Sequence, residues 1–178
     1  MILIVGLGNP GPKYALNRHN IGFLAIDTLI GVYDAGPERD KFDSILSETV
    51  FQGHKIVFLK PQTYMNESGL AVHKALQFYK LTPQDVIVIH DEIDLAPGEV
   101  KTKTGGGAAG HNGLKSLDAH IGKEYHRIRL GVGHPGHKDD VSDYVLSNFG
   151  KAEQKWVEDV LADLPNTVEK LIAEKGLS

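Results

Sequence analysis

The chain has 178 residues, 41% of them hydrophobic and 24% charged, with a formal net charge of −4 and no cysteine. That length and apolar content suit one domain with a sizeable core, and the missing cysteine excludes a disulfide scaffold and a thiolate nucleophile. No apolar run is long enough to span a bilayer, and the first one is too short, and has no basic residues before it, to be a signal peptide, so a cytoplasmic protein is expected.

Ile2, Leu3, Ile4 and Val5 form a short apolar run that stops at Gly6, Gly8 and Gly11. This is the pattern of a buried strand, and in open α/β sheets the turns at the carboxyl ends of strands are where ligands usually bind. Ile21, Leu24, Ala25 and Leu29 recur at helical spacing and predict a helix over 14–30, with Asn17 or Asn20 as its cap. Residues 31–44 read as a polar loop. Alternation over 45–51 and 55–59, around Gln52, Gly53 and His54, predicts a hairpin. A polar turn at 62–69 leads into a helix over 68–79. A second buried strand, 86–90, ends in Asp91, Glu92, Ile93 and Asp94. Residues 100–104 form a short exposed strand with Lys101 and Lys103 on one face. A second glycine-rich loop, 105–113, precedes a helix over 114–121. In the strand 125–132, Ile128, Leu130 and Val132 share one face and Arg127 and Arg129 the other. The last helix covers 151–174, and Pro165 should kink or split it. Helices and strands alternate without a repeat or a linker, so the class is α/β, in a single domain over 1–178.

The net charge argues weakly against a polyanion as ligand, but its distribution does not. Residues 101–138 hold seven Lys or Arg against two acids, a local charge of +5 on an acidic chain, and five of the nine histidines. A one-sided basic face is the footprint of a polyanion ligand; an ordinary solvated surface gives the same count.

Gly6-Leu7-Gly8-Asn9-Pro10-Gly11 follows a strand and matches the dinucleotide fingerprint, which makes an NAD(P)-dependent oxidoreductase one alternative. Pro10 removes an N–H that a pyrophosphate would use, and Asp27 falls within a helix, not at the end of a second strand. His90, Asp91, Glu92, Asp94 and His111 are ligand-like types without a matched metal spacing. A carboxylate at the end of a buried strand has a simpler job, to hold a histidine in one tautomer. His19 is the best candidate base. A neutral imidazole can take a proton from water, an effect worth about 10²–10⁴ in rate. Asn9, Asn66 and Asn112 lie in three separate polar turns and suit neutral donors and acceptors around a carbonyl and an amide. There is neither a cysteine nor a serine in a G-x-S-x-G turn, so the chemistry to expect is direct attack by activated water.

These segments together carry a family resemblance. The first glycine turn, Tyr14, Asn17-Arg18-His19-Asn20, Pro61-Gln62-Thr63-Tyr64-Met65-Asn66, His90-Asp91-Glu92-Ile93-Asp94, Gly105-Gly106-Gly107, Gly110-His111-Asn112-Gly113-Leu114 and the run from Arg127 to Pro135 resemble bacterial peptidyl-tRNA hydrolases, in order, over about residues 1–149. The resemblance implies hydrolysis of the ester between a peptide, or an N-blocked amino acid, and the 3′ end of tRNA. It implies a monomeric α/β fold with a central mixed sheet flanked by helices, and no cofactor or metal. By the same resemblance His19 is the general base, Asp91 supports it, and Asn9 helps to distinguish blocked from free aminoacyl-tRNA. Tyr14, Tyr64, Asn66 and Asn112 line the substrate site, and Lys101, Lys103 and Arg129 form a face for tRNA. Ala108-Ala109 replace other small or histidine residues of many members, which implies a stiffer loop. The chain ends soon after Leu171, without the basic tail of some members, which implies weaker tRNA binding. A non-catalytic RNA-binding module using the same basic face is the second alternative.

Overall fold

The computed structural model describes residues 1–178. Its strands are β1 (Ile2–Gly6), β2 (Arg39–Lys41), β3 (Ser44–Phe51), β4 (His54–Pro61), β5 (Val86–Glu92), β6 (Val100–Thr104) and β7 (His126–Gly131), and its helices are α1 (Ile21–Val32), α2 (Ser68–Tyr79), α3 (Asn112–Ile121), α4 (Val141–Val145) and α5 (Gln154–Lys175). The strands form one mixed sheet in the order β2-β3-β4-β1-β5-β7-β6. The inner pairs β4–β1, β1–β5 and β5–β7 are parallel, and β2–β3, β3–β4 and β6–β7 are antiparallel. No helix is long and apolar enough to cross a membrane.

The inner strands are apolar on both faces because both faces are covered. Ile2, Ile4, Ile87 and Ile89 pack with α1 and α5 residues such as Ile26, Leu164 and Val168. Leu3, Val5, Val86 and Val88 pack on the other face with Val72, Ala75 and Leu76 of α2 and Leu114 and Leu117 of α3. Each such side chain, fully buried, adds about 1.5–3 kcal/mol. The helices that follow β1 and β4, α1 and α2, therefore lie on opposite faces of the sheet. The chain emerging from the two adjacent strands diverges there and opens a crevice at their carboxyl ends.

Four sequence expectations need correction. The first helix begins at Ile21, not Tyr14, with Asn20 at its N-cap position as expected, but neither asparagine side chain caps it. Asn17 Nδ2 donates to Asn148 Oδ1 (2.7 Å), and Asn20 binds the backbone of Asn9. Residues 18–20 are a single 3-10 turn. The polar segment 31–44 contains the edge strand β2, whose three residues are polar because it is held by backbone pairing to β3. Helix α4, only five residues long, lies in a stretch that gave no periodic signal. Pro165 does not divide the last helix, since the stripe Val157, Val160, Leu164, Val168, Leu171 and Ile172 stays packed along the whole of α5.

Candidate active site

A cavity of about 750 Å³ opens at the carboxyl ends of the parallel strands. Asn9 reaches it from the turn after β1, Asn66 from the turn after β4, Asp91 from the end of β5, and Asn112 from the start of α3. His19 comes from the 3-10 turn before α1. All five line this one cavity, together with Tyr64, Met65, Glu92 and His111. The far wall is α4 with Val141, Val145 and Leu146.

At its floor two histidines share one carboxylate. His19 Nδ1 lies 2.8 Å from Asp91 Oδ2, and His111 Nε2 lies 2.8 Å from Asp91 Oδ1. The protons can be placed by chemistry. His111 Nδ1 accepts the backbone N–H groups of Gly113 (3.1 Å) and Leu114 (3.3 Å), so it is bare and the ring proton is on Nε2. His111 is thus at once the N-cap of α3 and a donor to Asp91. An ionised Asp91 can only accept, so His19 donates from Nδ1, and its Nε2 lone pair is the one left for the cavity. Burial opposes the charge on Asp91, but the two histidines outweigh it and hold its carboxyl well below the usual range. Burial also pulls the His19 pKa down, and the charge and hydrogen bond of Asp91 more than offset this, leaving it raised. His19, Asp91 and His111 offer ligand-type atoms within 4.8 Å of one another. A metal on His111 Nε2 would need the proton moved to Nδ1, against the two N–H groups that point there, so that ligation and the α3 cap exclude each other.

The glycine turn is explained by packing. A Cβ on Gly6 would lie 2.1 Å from the carbonyl oxygen of Gly22, so β1 and α1 meet backbone to backbone, while Gly11 adopts φ 99° to turn the chain. What the turn presents is Asn9, which is 7% exposed. Its backbone N–H donates to Asn20 Oδ1 and its carbonyl accepts from Asn20 Nδ2, both at 2.9 Å. Its own Oδ1 accepts the N–H of Met65 at 2.7 Å. Only Nδ2 remains, so Asn9 offers the cavity a donor. That bond to Met65 also stabilises Tyr64, whose φ of 63° and ψ of 158° lie in a region normally open to glycine alone, at a cost of about 1–3 kcal/mol. The Tyr64 ring stands exposed at the cavity edge.

The family model described as peptidyl-tRNA hydrolase matches residues 3–178. The chain belongs to the peptidyl-tRNA hydrolase family. It is 63% identical over 161 residues to the peptidyl-tRNA hydrolase of Roseobacter denitrificans, covering 90% of this chain and 69% of that protein. It is 56% identical over 176 residues to that of Parvibaculum lavamentivorans, covering 98% and 86%. The crystal structure of peptidyl-tRNA hydrolase from Acinetobacter baumannii superposes with a TM-score of 0.90 at 40% identity, covering 98% of this chain and 92% of that one.

Other residues named from the sequence lie outside the cavity of this peptidyl-tRNA hydrolase family member. Tyr14 meets the Tyr64 ring edge to face, with centroids 6.4 Å apart. Lys101 and Lys103 are exposed on the edge strand β6, opposite Arg129 and Arg127 of β7. The three cations expected to face tRNA are not equivalent. Lys101 lies 4.0 Å from Glu99, Arg129 is largely covered and 3.9 Å from Glu92, and Lys103 is in no ion pair. Arg127, on the same face, is 1% exposed and donates to the carbonyls of Gly107 (2.6 Å) and Gly106 (2.8 Å), so it anchors the loop that leads to His111.

Sequence reasoning missed three parts of the site. His111 stood among possible metal ligands and in a matched segment without a role, because the helix expected from residue 114 begins at Asn112 and makes His111 its cap. The strain at Tyr64 has no sequence signature. Arg18 clips the α4 wall to the residue before His19, donating to Glu153 (2.6 Å) and to the Tyr144 carbonyl (3.2 Å) and lying 4.2 Å from the Tyr144 ring. Its partners are more than 120 positions away in the chain.

Proposed function

We propose that the chain hydrolyses the ester of peptidyl-tRNA with His19 as general base. The carrying observation is the 2.8 Å bond from His19 Nδ1 to Asp91, which leaves Nε2 as the acceptor at the cavity. Nε2 removes a proton from water as the water attacks the ester carbonyl. The resulting imidazolium stays bonded to Asp91 through Nδ1. The tetrahedral intermediate then collapses, the C–O bond to the ribose breaks, and the imidazolium returns the proton to the leaving 3′ oxygen. Asn9 Nδ2 donates to a carbonyl of the peptide, which sharpens the expectation of an amide contact to one direction. Asn66 and Asn112, both exposed at the cavity, position the ester and polarise its carbonyl. Lys101 and Lys103 meet tRNA phosphates, and Tyr14 and Tyr64 border the acceptor end. Residues 1–178 act as one catalytic unit and, as the family resemblance implies, as a monomer. A substrate produced by translation supports a cytoplasmic location.

The test is His19→Ala assayed on N-acetyl-aminoacyl-tRNA. Turnover should fall by about 10²–10⁴ with near-normal tRNA affinity, and unchanged turnover would remove His19 from the role.

A further inference from the structure

Asp91 has two donors where orientation of His19 needs one, and the second, His111, is the N-cap of α3, the helix that also presents Asn112 to the cavity. Its ring is fixed at three points. Nδ1 is committed to the N–H groups of Gly113 and Leu114 in the first turn of α3, Nε2–H to Asp91 Oδ1, and the ring centroid lies 4.9 Å from that of His19, tilted, and 5.2 Å from that of His90, edge to face. The helix start therefore dictates the tautomer, and the tautomer dictates a permanent donor to the carboxylate.

We propose that His111 is a positioning residue that sets the basicity of His19 by taking up part of the charge of Asp91, so that His19 holds a proton less tightly than it would against Asp91 alone. The inference rests on the reading of His19 as the base. A buried carboxylate bonded to a single imidazole favours the imidazolium strongly, and a base already protonated cannot serve. A second N–H on the same carboxylate weakens that pull. The other ionisable groups do not replace it. His90 lies beneath His111 and donates its Nδ1–H to the Asp91 carbonyl (2.8 Å), not to the carboxylate. Arg127 of β7 is turned to the glycine loop. Glu92, Asp94, His134 and Lys138 line the cavity but make no hydrogen bond to Asp91.

The experiment uses His111→Asn in the full chain. Asparagine is a good N-cap, so α3 keeps its start, and a side chain engaged there does not reach Asp91. The His19 ring is followed by NMR through a pH titration, beside the pH dependence of kcat/KM on N-acetyl-aminoacyl-tRNA. The midpoint of His19 should rise by about one pH unit, and the variant should lose about tenfold more activity at pH 6 than at pH 8.5. An unmoved or lowered midpoint, or an equal loss at every pH, would overturn the proposal. The unaltered protein provides a second check that does not depend on the variant folding. Imidazole ¹⁵N shifts should show His111 protonated at Nε2 and bare at Nδ1 near neutral pH, and a proton on Nδ1 would equally overturn it. The two readings fail separately. Full activity in His19→Ala removes the base, whereas an unmoved His19 titration removes only the part assigned to His111.

Discussion

The cavity floor and the basic edge strand are built in opposite ways. At the floor, His19, Asp91 and His111 are enclosed, hydrogen-bonded to one another and supported by backbone groups of a helix start. On β6, Lys101 and Lys103 project from an exposed strand. On the proposed function, the contrast follows from what each is asked to do. A proton transfer needs one tautomer aimed within hydrogen-bond reach, and only burial with every partner satisfied holds it. Attraction of a polyanion acts across several ångströms of water and tolerates mobile side chains, which are cheaper left hydrated. Changes at the floor should therefore alter kcat steeply, and changes at the edge should alter KM gently.

The most severe break of the floor is Asp91→Asn. The amide has one acceptor, and two N–H groups point at it. His111 cannot reverse its tautomer while it caps α3, so the amide oxygen turns to His111 and the amide N–H₂ to His19. The His19 proton then moves to Nε2, and the lone pair leaves the cavity. We expect kcat to fall by about 10²–10⁴, the full contribution of a general base, with the thermal transition little changed. A variant retaining more than a tenth of the normal kcat would contradict this account of the floor.

Asn9 separates structure from contact. Asn9→Ala removes the acceptor of the buried Met65 N–H, which should cost about 1–3 kcal/mol of stability and release the strained Tyr64 turn, with loss of activity. Asn9→Asp keeps the acceptor and loses the donor. It should unfold at close to the normal denaturant concentration and still lose about tenfold or more in kcat/KM. Equal stability loss in both would show that Asn9 serves the turn alone.

How much of this was legible in the sequence depended on the distance between partners. The inner strands were readable because continuous runs such as Ile2–Val5 and Val86–Ile89 are what a sheet covered on both faces requires. Helix α2 was readable to its ends, Ser68 and Tyr79. Asn9, His19, Asn66, Asp91 and Asn112 could be nominated because each lies at a strand end or a turn, and the turns of a parallel sheet converge. Beyond reach were features fixed by tertiary partners. Asn17 and Asn20 look like caps and are instead consumed by Asn148 and Asn9. Arg127 looks like surface charge and is buried against two carbonyls contributed by a loop. Gly6–Gly11 matches the dinucleotide fingerprint because a close strand–helix contact and a phosphate turn ask for the same glycines.

His90 extends the comparison to stability. It is buried beside His111, and burial first, with His111 second, pushes its pKa down to about 3. In the unfolded chain the same ring takes up a proton near pH 6.5. Between those values the unfolded state binds a proton that the folded state refuses, so stability should be lost progressively as pH falls from about 6.5 towards 3, by a few kcal/mol in total. Asp91, whose folded carboxyl is held low, adds to the loss below about pH 4. Urea unfolding at pH 7, 5.5 and 4.5 should show this decline, and His90→Phe should flatten it between pH 6.5 and 4.5. The exposed cations on β6 should leave the profile unchanged.

The gentlest effects belong to the edge itself, and the ion pairs rank them. Lys103 is exposed and in no ion pair, whereas Lys101 has Glu99 nearby and Arg129 has Glu92. Lys103→Ala removes one cation and, on the phosphate-contact reading, should raise KM a few-fold at low salt and lower the slope of log KM against log salt by about one. Lys101→Ala should do the same to a smaller degree, because its charge is partly compensated before any phosphate arrives. Arg129→Ala should behave differently in kind. It removes the partner of Glu92, a carboxylate on the cavity wall, and so should change kcat as well as KM, with a part of the loss that added salt does not erase. If all three variants showed the same loss and the same salt slope, the edge would be acting as a diffuse positive field and the separate ion pairs would have no bearing on tRNA.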